Sequence, residues 1–117
     1  MTVRGETRIG ETEHMVFFNN RAVVELEQQI GKPVLSLLKS LDSGEVMFAD
    51  VAAMLVVGIN AHRRSSGGKF TKITLPQVYD LMDEVGFAVA LAAVVESLSN
   101  VFAPVDDTGE SESPNAR

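Results

Sequence analysis

The chain has 117 residues, no cysteine, 45% hydrophobic and 22% charged residues, and a net charge of −6. These are the proportions of one ordinary globular domain with a modest core. They exclude a disulfide framework, a thiolate nucleophile and a sulfur-ligated metal, and the sign of the charge weighs against gripping a polyanion backbone, which needs clustered Lys and Arg.

The acid excess is shared between two regions. In 103–117, Asp106, Asp107, Glu110 and Glu112 stand against Arg117, leaving −3 there and the other −3 in residues 1–102. The start, MTVRGETRIGE, is polar where a secretory signal needs an apolar run. The longest apolar runs, Val51–Val57 and Phe87–Val95, fall well short of the roughly 18 residues that span a bilayer. A soluble protein is expected, and the absence of cysteine suits a reducing cytoplasm.

Residues 1–13 are polar and dotted with glycine, and His14–Phe18 (HMVFF) then reads as a short strand. Arg8–Ile9 is placed to pair with it across Gly10–Glu11, a hairpin that has to lie on the helices because an isolated one is marginal in water. Asn19 and Asn20 are both N-cap residues, whose short side-chain oxygens satisfy a free N–H of the first turn. The helix they open, over Arg21–Ile30, sets Val23, Leu26 and Ile30 on one side, and Gly31 ends it. Pro33 starts a second helix, along which Val34, Leu37, Leu38 and Leu41 share a face until Asp42-Ser43-Gly44.

A third helix is expected over Phe48–Ala61, broadly apolar through Val51, Met54, Leu55, Val57 and Ile59. His62–Thr71 (HRRSSGGKFT) reads as a loop. Thr74 with Gln77 three residues on forms a capping box, with Pro76 in the first turn of a fourth helix. Its stripe is Leu75, Val78, Leu81, Met82 and Val85, and Gly86 breaks or kinks the chain into the last helix. That helix, Phe87–Phe102, is apolar without a break to Val95 and then narrows to Leu98, Val101 and Phe102. A helix apolar all round belongs inside other helices, so the fold is expected to be organised around it. The whole is a mainly α, small orthogonal domain of about five helices over residues 1–102. There is room for a short β-hairpin within 1–18, and 103–117 reads as a flexible, disordered acidic tail.

Little here reads as chemistry. The loop cations Arg63, Arg64, Lys69 and Lys72 with Gly67-Gly68 invite comparison with a phosphate-binding loop. That motif needs a glycine where Arg63 stands and Ser or Thr where Phe70 stands, so it is absent. The ordinary reading is a solvated connector; the functional one is a contact site for an acidic partner, built from Arg63, Arg64, Lys69 and an exposed Phe70. Asp80, Asp83 and Glu84 lie opposite the apolar stripe of the fourth helix, as a wetted face does, and catalysis would need a cleft that separates their proton affinities. Glu25 and Glu27 point to different sides of their helix. Neither His14 nor His62 has a second ligand at i+3 or i+4, and His62 is expected to end its helix, where its partial charge suits the dipole. Met47, Met54 and Met82 read as core filler. No catalytic residue, cofactor or metal is therefore expected. A DNA-reading helix-turn-helix has its raw material in short helices split by Gly turns, but the cleanest recognition candidate, Leu75–Val85, carries three acids and no Lys or Arg.

The same landmarks, taken in order, form a pattern: Arg4-Gly5-Glu6, Ala22, Leu26-Glu27, Gly31, Leu35 and Leu38, then Gly44, the apolar Val51–Leu55, a Gly-containing loop, Thr74-x-x-Gln77-Val78, Gly86 and an apolar closing helix. Spread over most of residues 4–102, this resembles the tail assembly chaperones of gene transfer agents and long-tailed phages. Gln77 stands where others carry Glu, a change a capping box tolerates.

The resemblance implies a non-catalytic chaperone of tail morphogenesis. Its partners would be the long, helical tape-measure protein, which it keeps soluble, and the tail-tube subunits it helps recruit. It would act in the host cytoplasm, be absent from the finished particle and bind neither nucleic acid nor membrane; in many phages a frameshift near the end of the gene adds a C-terminal extension that recruits the tube protein, and whether this chain associates with itself is left open. The alternatives are a structural adaptor or minor component of the mature tail, and a small DNA-binding regulator.

Overall fold

In the computed structural model, which describes residues 5–102, two short strands precede five helices: β1 (Thr7–Arg8), β2 (Met15–Val16), α1 (Asn20–Ile30), α2 (Val34–Ser43), α3 (Phe48–Ser65), α4 (Leu75–Val85) and α5 (Phe87–Phe102). Arg4 and the acidic tail expected over 103–117 lie outside the described residues. The fold is the mainly helical one expected, with its hairpin.

The helix boundaries follow the local chemistry closely. The Asn19 side chain accepts from the Ala22 N–H (2.9 Å), and Gly31 closes α1 at φ 71°, a left-handed conformation that costs glycine little. α2 begins after Pro33, which offers no side-chain cap, and the Glu27 carboxylate supplies one by accepting from the Val34 N–H at 2.9 Å. The Thr74 N–H donates to Gln77 Oε1 (2.9 Å), which is the reciprocal half of the capping box. Gly86, at φ 90°, then turns the chain by 111° between α4 and α5.

The helix at the centre is α3, not α5. α3 buries Val51, Ala52, Ala53, Met54, Leu55, Val57, Gly58, Ile59 and Ala61, and packs against α1, β2, α4 and α5. α5 lies at the edge, burying Ala90, Ala93, Val94, Ser97 and Leu98 while Ala88, Val89 and Ala92 face solvent. Its continuous apolar run contained no polar residue to mark an outer side. Periodicity alone therefore could not show that only one side is covered.

The hairpin is short but structural. Thr7 pairs with Val16 and Arg8 with Met15, one residue away from the expected Arg8–Ile9 strand. The strand expected over His14–Phe18 stops at Val16, because the Phe17 N–H leaves the ladder and donates to the Gly58 carbonyl of α3 (3.0 Å). Ile9, Val16, Phe17 and Phe18 are all buried, so the hairpin is wedged into the core against α3 and α5. The approach to α3 requires Gly58: a Cβ there would stand 2.9 Å from the Phe18 ring.

Candidate protein-binding surfaces

The expected connector over His62–Thr71 is in part helix. α3 continues one turn past Ala61 through His62, Arg63, Arg64 and Ser65 before Gly67 and Gly68, both at positive φ, end it. Basic side chains in a last turn suit the partial negative charge of the helix C-terminus, and each of His62, Arg63 and Arg64 is also held. His62 pairs with Glu6, Arg63 Nη1 donates to the Thr71 carbonyl (2.6 Å), and Arg64 Nη1 reaches Glu25 at 3.4 Å. His62 accordingly sits inside the last turns and does not end the helix.

This local geometry splits the expected contact set. Successive helical residues point about 100° apart, so Arg63 and Arg64 face different ways. Arg63 joins Lys69 and Phe70 around a groove of about 360 Å³, which Glu13, His14 and His62 also line. Arg64 turns instead to α1, where Glu25 bridges it to Arg21 (3.4 Å). The structure thus brings together three of the four residues and adds both histidines. Among the described residues, no three His, Asp or Glu side chains converge as a metal site would require.

A second surface was not foreseen from the sequence. Where the N-terminus of α3 meets the α4–α5 elbow, Phe48, Ala49, Ala52, Tyr79, Met82, Asp83, Gly86 and Phe87 line a groove of about 550 Å³. Phe48 and Phe87 stack with ring centroids 3.9 Å apart, yet Phe48 is 63% exposed and Tyr79 51%. The chain has only seven aromatic residues, six Phe and one Tyr, so three of them gather at one open groove. Open clusters of aromatic and methionine side chains are characteristic of protein contact surfaces. Met47, read as core filler, is also exposed beside Phe48, and Met82 is half-buried in the groove wall, whereas Met54 is in the core. The signal was faintly present in the sequence. Leu75, Tyr79, Met82 and Gly86 form a second row at i, i+4, i+7 and i+11, offset from the buried pair Val78 and Leu81.

No protein-family model, curated protein or solved structure matches this chain.

The two surfaces differ in charge. The segment 75–102 holds Asp80, Asp83, Glu84 and Glu96 and no Lys or Arg. The three acids of α4 are exposed, as a wetted face, with Asp83 at the groove wall. The opposite end of α3 carries Arg63, Lys69 and Lys72, with Glu13 in the same groove and Asp80 and Glu84 in the adjoining one beside Arg63 and His14. Among the described residues no single helix is long and apolar enough to cross a membrane. What these surfaces can do is bind: one offers aromatic and thioether area with one carboxylate, Asp83, in its wall, the other a phenyl ring in a rim of mixed charge.

Proposed function

We propose that this protein is a non-catalytic assembly chaperone of tail morphogenesis, which binds the helical tape-measure protein and helps bring tail-tube subunits to it. The ordered pattern from Arg4-Gly5-Glu6 to Gly86 supports this reading at the family level. The observation that carries it is the open aromatic groove at the α4–α5 elbow, lined by Phe48, Tyr79, Met82 and Phe87; Ala88, Val89 and Ala92 of α5 are exposed as well. An apolar groove of this kind accepts the apolar face of an amphipathic helix through residues spaced three and four apart. Shielding such faces keeps a long helical polypeptide soluble until its own partners arrive. The chaperone works in the host cytoplasm and leaves before the particle is complete.

Co-expression with the tape-measure gene of the same gene cluster tests the reading. The expected result is a marked rise in soluble tape-measure protein and its co-purification with this chain. Unchanged solubility with no co-purification overturns it. Mass spectrometry of purified particles separates the chaperone, which is expected to be absent, from a structural adaptor present in stoichiometric amount.

A further inference from the structure

The elbow groove is built from two stretches of chain that carry no cation. Residues 40–61, which supply Phe48, Ala49 and Ala52, contain Asp42, Glu45 and Asp50 and no Lys or Arg. Residues 75–102, which supply the rest of the lining, contain Asp80, Asp83, Glu84 and Glu96 and again neither. Some of these charges are already matched. Lys32 pairs with Asp50, and Asp80 and Glu84 line the adjoining groove together with Arg63. Asp83 is different: among the described residues it takes part in no ion pair. Its exposed carboxylate stands in a wall otherwise made of Phe, Tyr, Met, Ala and Gly. Beside it the Phe48–Phe87 stack is open to a ligand, since Phe48 is 63% exposed. Aromatic faces attract cations, and a guanidinium can stack on a ring while donating in its own plane to a carboxylate.

We infer that the elbow groove is a receptor for arginine, presented by a partner helix with aliphatic residues one turn to either side of it. The guanidinium lies on the open aromatic stack and pairs with Asp83. The aliphatic neighbours, three or four positions away and so on the same helix face, fill the rest of the groove along Ala52, Tyr79 and Met82. A groove of about 550 Å³ has the size of natural ligand clefts, which leaves space for more than one side chain. Lysine fits less well, because its ammonium is a compact, strongly hydrated charge that does not stack. A carboxylate at the same place is repelled by Asp83 and by the acidic stretches around it. The inference rests on the groove being the client site, and it states which segments of a long helical client are engaged: amphipathic turns whose apolar face is interrupted by an arginine.

The chain carries its own reporter. It has no Trp and a single Tyr, Tyr79, which lines the groove, so its fluorescence reads occupancy directly. The probes are Ala-rich helical peptides of about 18 residues, long enough to hold a helix in water, without aromatic residues. They share leucines at i, i+4 and i+8 and differ in one residue of that face, which is Arg, Gln or Glu. Titrated into the full chain at low salt, each is expected to give a saturable change in Tyr79 emission. The Arg peptide is expected to bind about tenfold tighter than the Glu peptide, the sum of an open ion pair and a cation–π contact. Asp83→Asn, a change at an exposed position, is expected to keep the helical circular dichroism and bring Arg and Gln within about twofold of each other, while Asp83→Lys reverses the order of Arg and Glu. Equal binding of the three peptides, an Arg preference that survives Asp83→Asn, or no saturable change with any peptide overturns the inference. Pull-down of the tape-measure protein by Phe48→Ser/Tyr79→Ser separates the two readings. If the groove variant loses the client but the peptides show no Arg preference, only this inference falls; if the Arg preference holds and the groove variant keeps the client, only the client reading falls.

Discussion

Gly58 shows how one missing atom positions a functional surface. Its carbonyl accepts from the Phe17 N–H while the Phe18 ring lies where a Cβ would be, so hairpin and α3 meet backbone to backbone. Gly58→Ala would gain about 1 kcal/mol of helix propensity, but overpacking a boxed-in ring costs about 1–3 kcal/mol. Phe18 is buried and cannot swing clear, so the clash is expected to win, lowering the melting temperature by several degrees in a thermal scan. An unchanged or higher melting temperature would show that the ring has room. A second residue-scale test concerns Asp50, a buried carboxylate paired with Lys32 Nζ at 2.6 Å. Lys32 is half-exposed, so Lys32→Met is expected to cost about 1 kcal/mol and not the several expected of a fully buried pair. Against an Asp50→Leu background the same change is expected to cost less in urea titrations, as a coupled pair requires. Neither contact was legible in the sequence, since a glycine inside an apolar helix and a Lys–Asp pair eighteen residues apart carry no local pattern.

At the scale of elements, what could be read was what local chemistry decides. Asn19, Gly31, Gly44, Thr74 with Gln77, and Gly86 mark helix ends whatever surrounds them, and the structure places ends at all of them. What could not be read depends on distant partners. α3 runs through His62-Arg63-Arg64 because Glu6, Thr71 and Glu25 hold those side chains, and loop-like composition masked that. The Glu27 cap on α2 belongs to the same class, reaching a free N–H across the Gly31 turn. Glu27→Ala is expected to cost about 1 kcal/mol, the worth of a helix cap. The loss should be local, with faster hydrogen exchange at the first amides of α2 and little change in α4. Uniformly faster exchange over the whole chain would instead mean that Glu27 supports the core. The groove escaped notice for a related reason: Phe48 and Met82 were apolar residues at helical spacing, and only the fold shows which apolar residues remain uncovered.

Across the whole molecule, the arrangement is polarised. α3 forms an axis with its buried length in the core, an aromatic groove with Asp83 in its wall at one end and, at the other, Arg63 and Lys69 among Glu13 and the α4 acids Asp80 and Glu84. α5 leads away from that groove and leaves Ala88, Val89 and Ala92 uncovered. Val89, 39% exposed beside the hairpin turn at Gly10, Glu11 and Thr12, offers a test of whether the open face of α5 serves binding or folding. Val89→Lys is expected to leave stability within about 0.5 kcal/mol, as surface changes do, while lowering tape-measure co-purification. A large loss of stability would instead make that side part of the core.

The central claim is that this chain acts by binding through the elbow groove. The most direct measurement is a side-by-side pull-down of the tape-measure protein by wild type, Phe70→Ser and Phe48→Ser/Tyr79→Ser, each first shown to be folded. The account predicts retention by wild type and Phe70→Ser and loss by the groove variant; equal retention by all three, or capture by none, would contradict it.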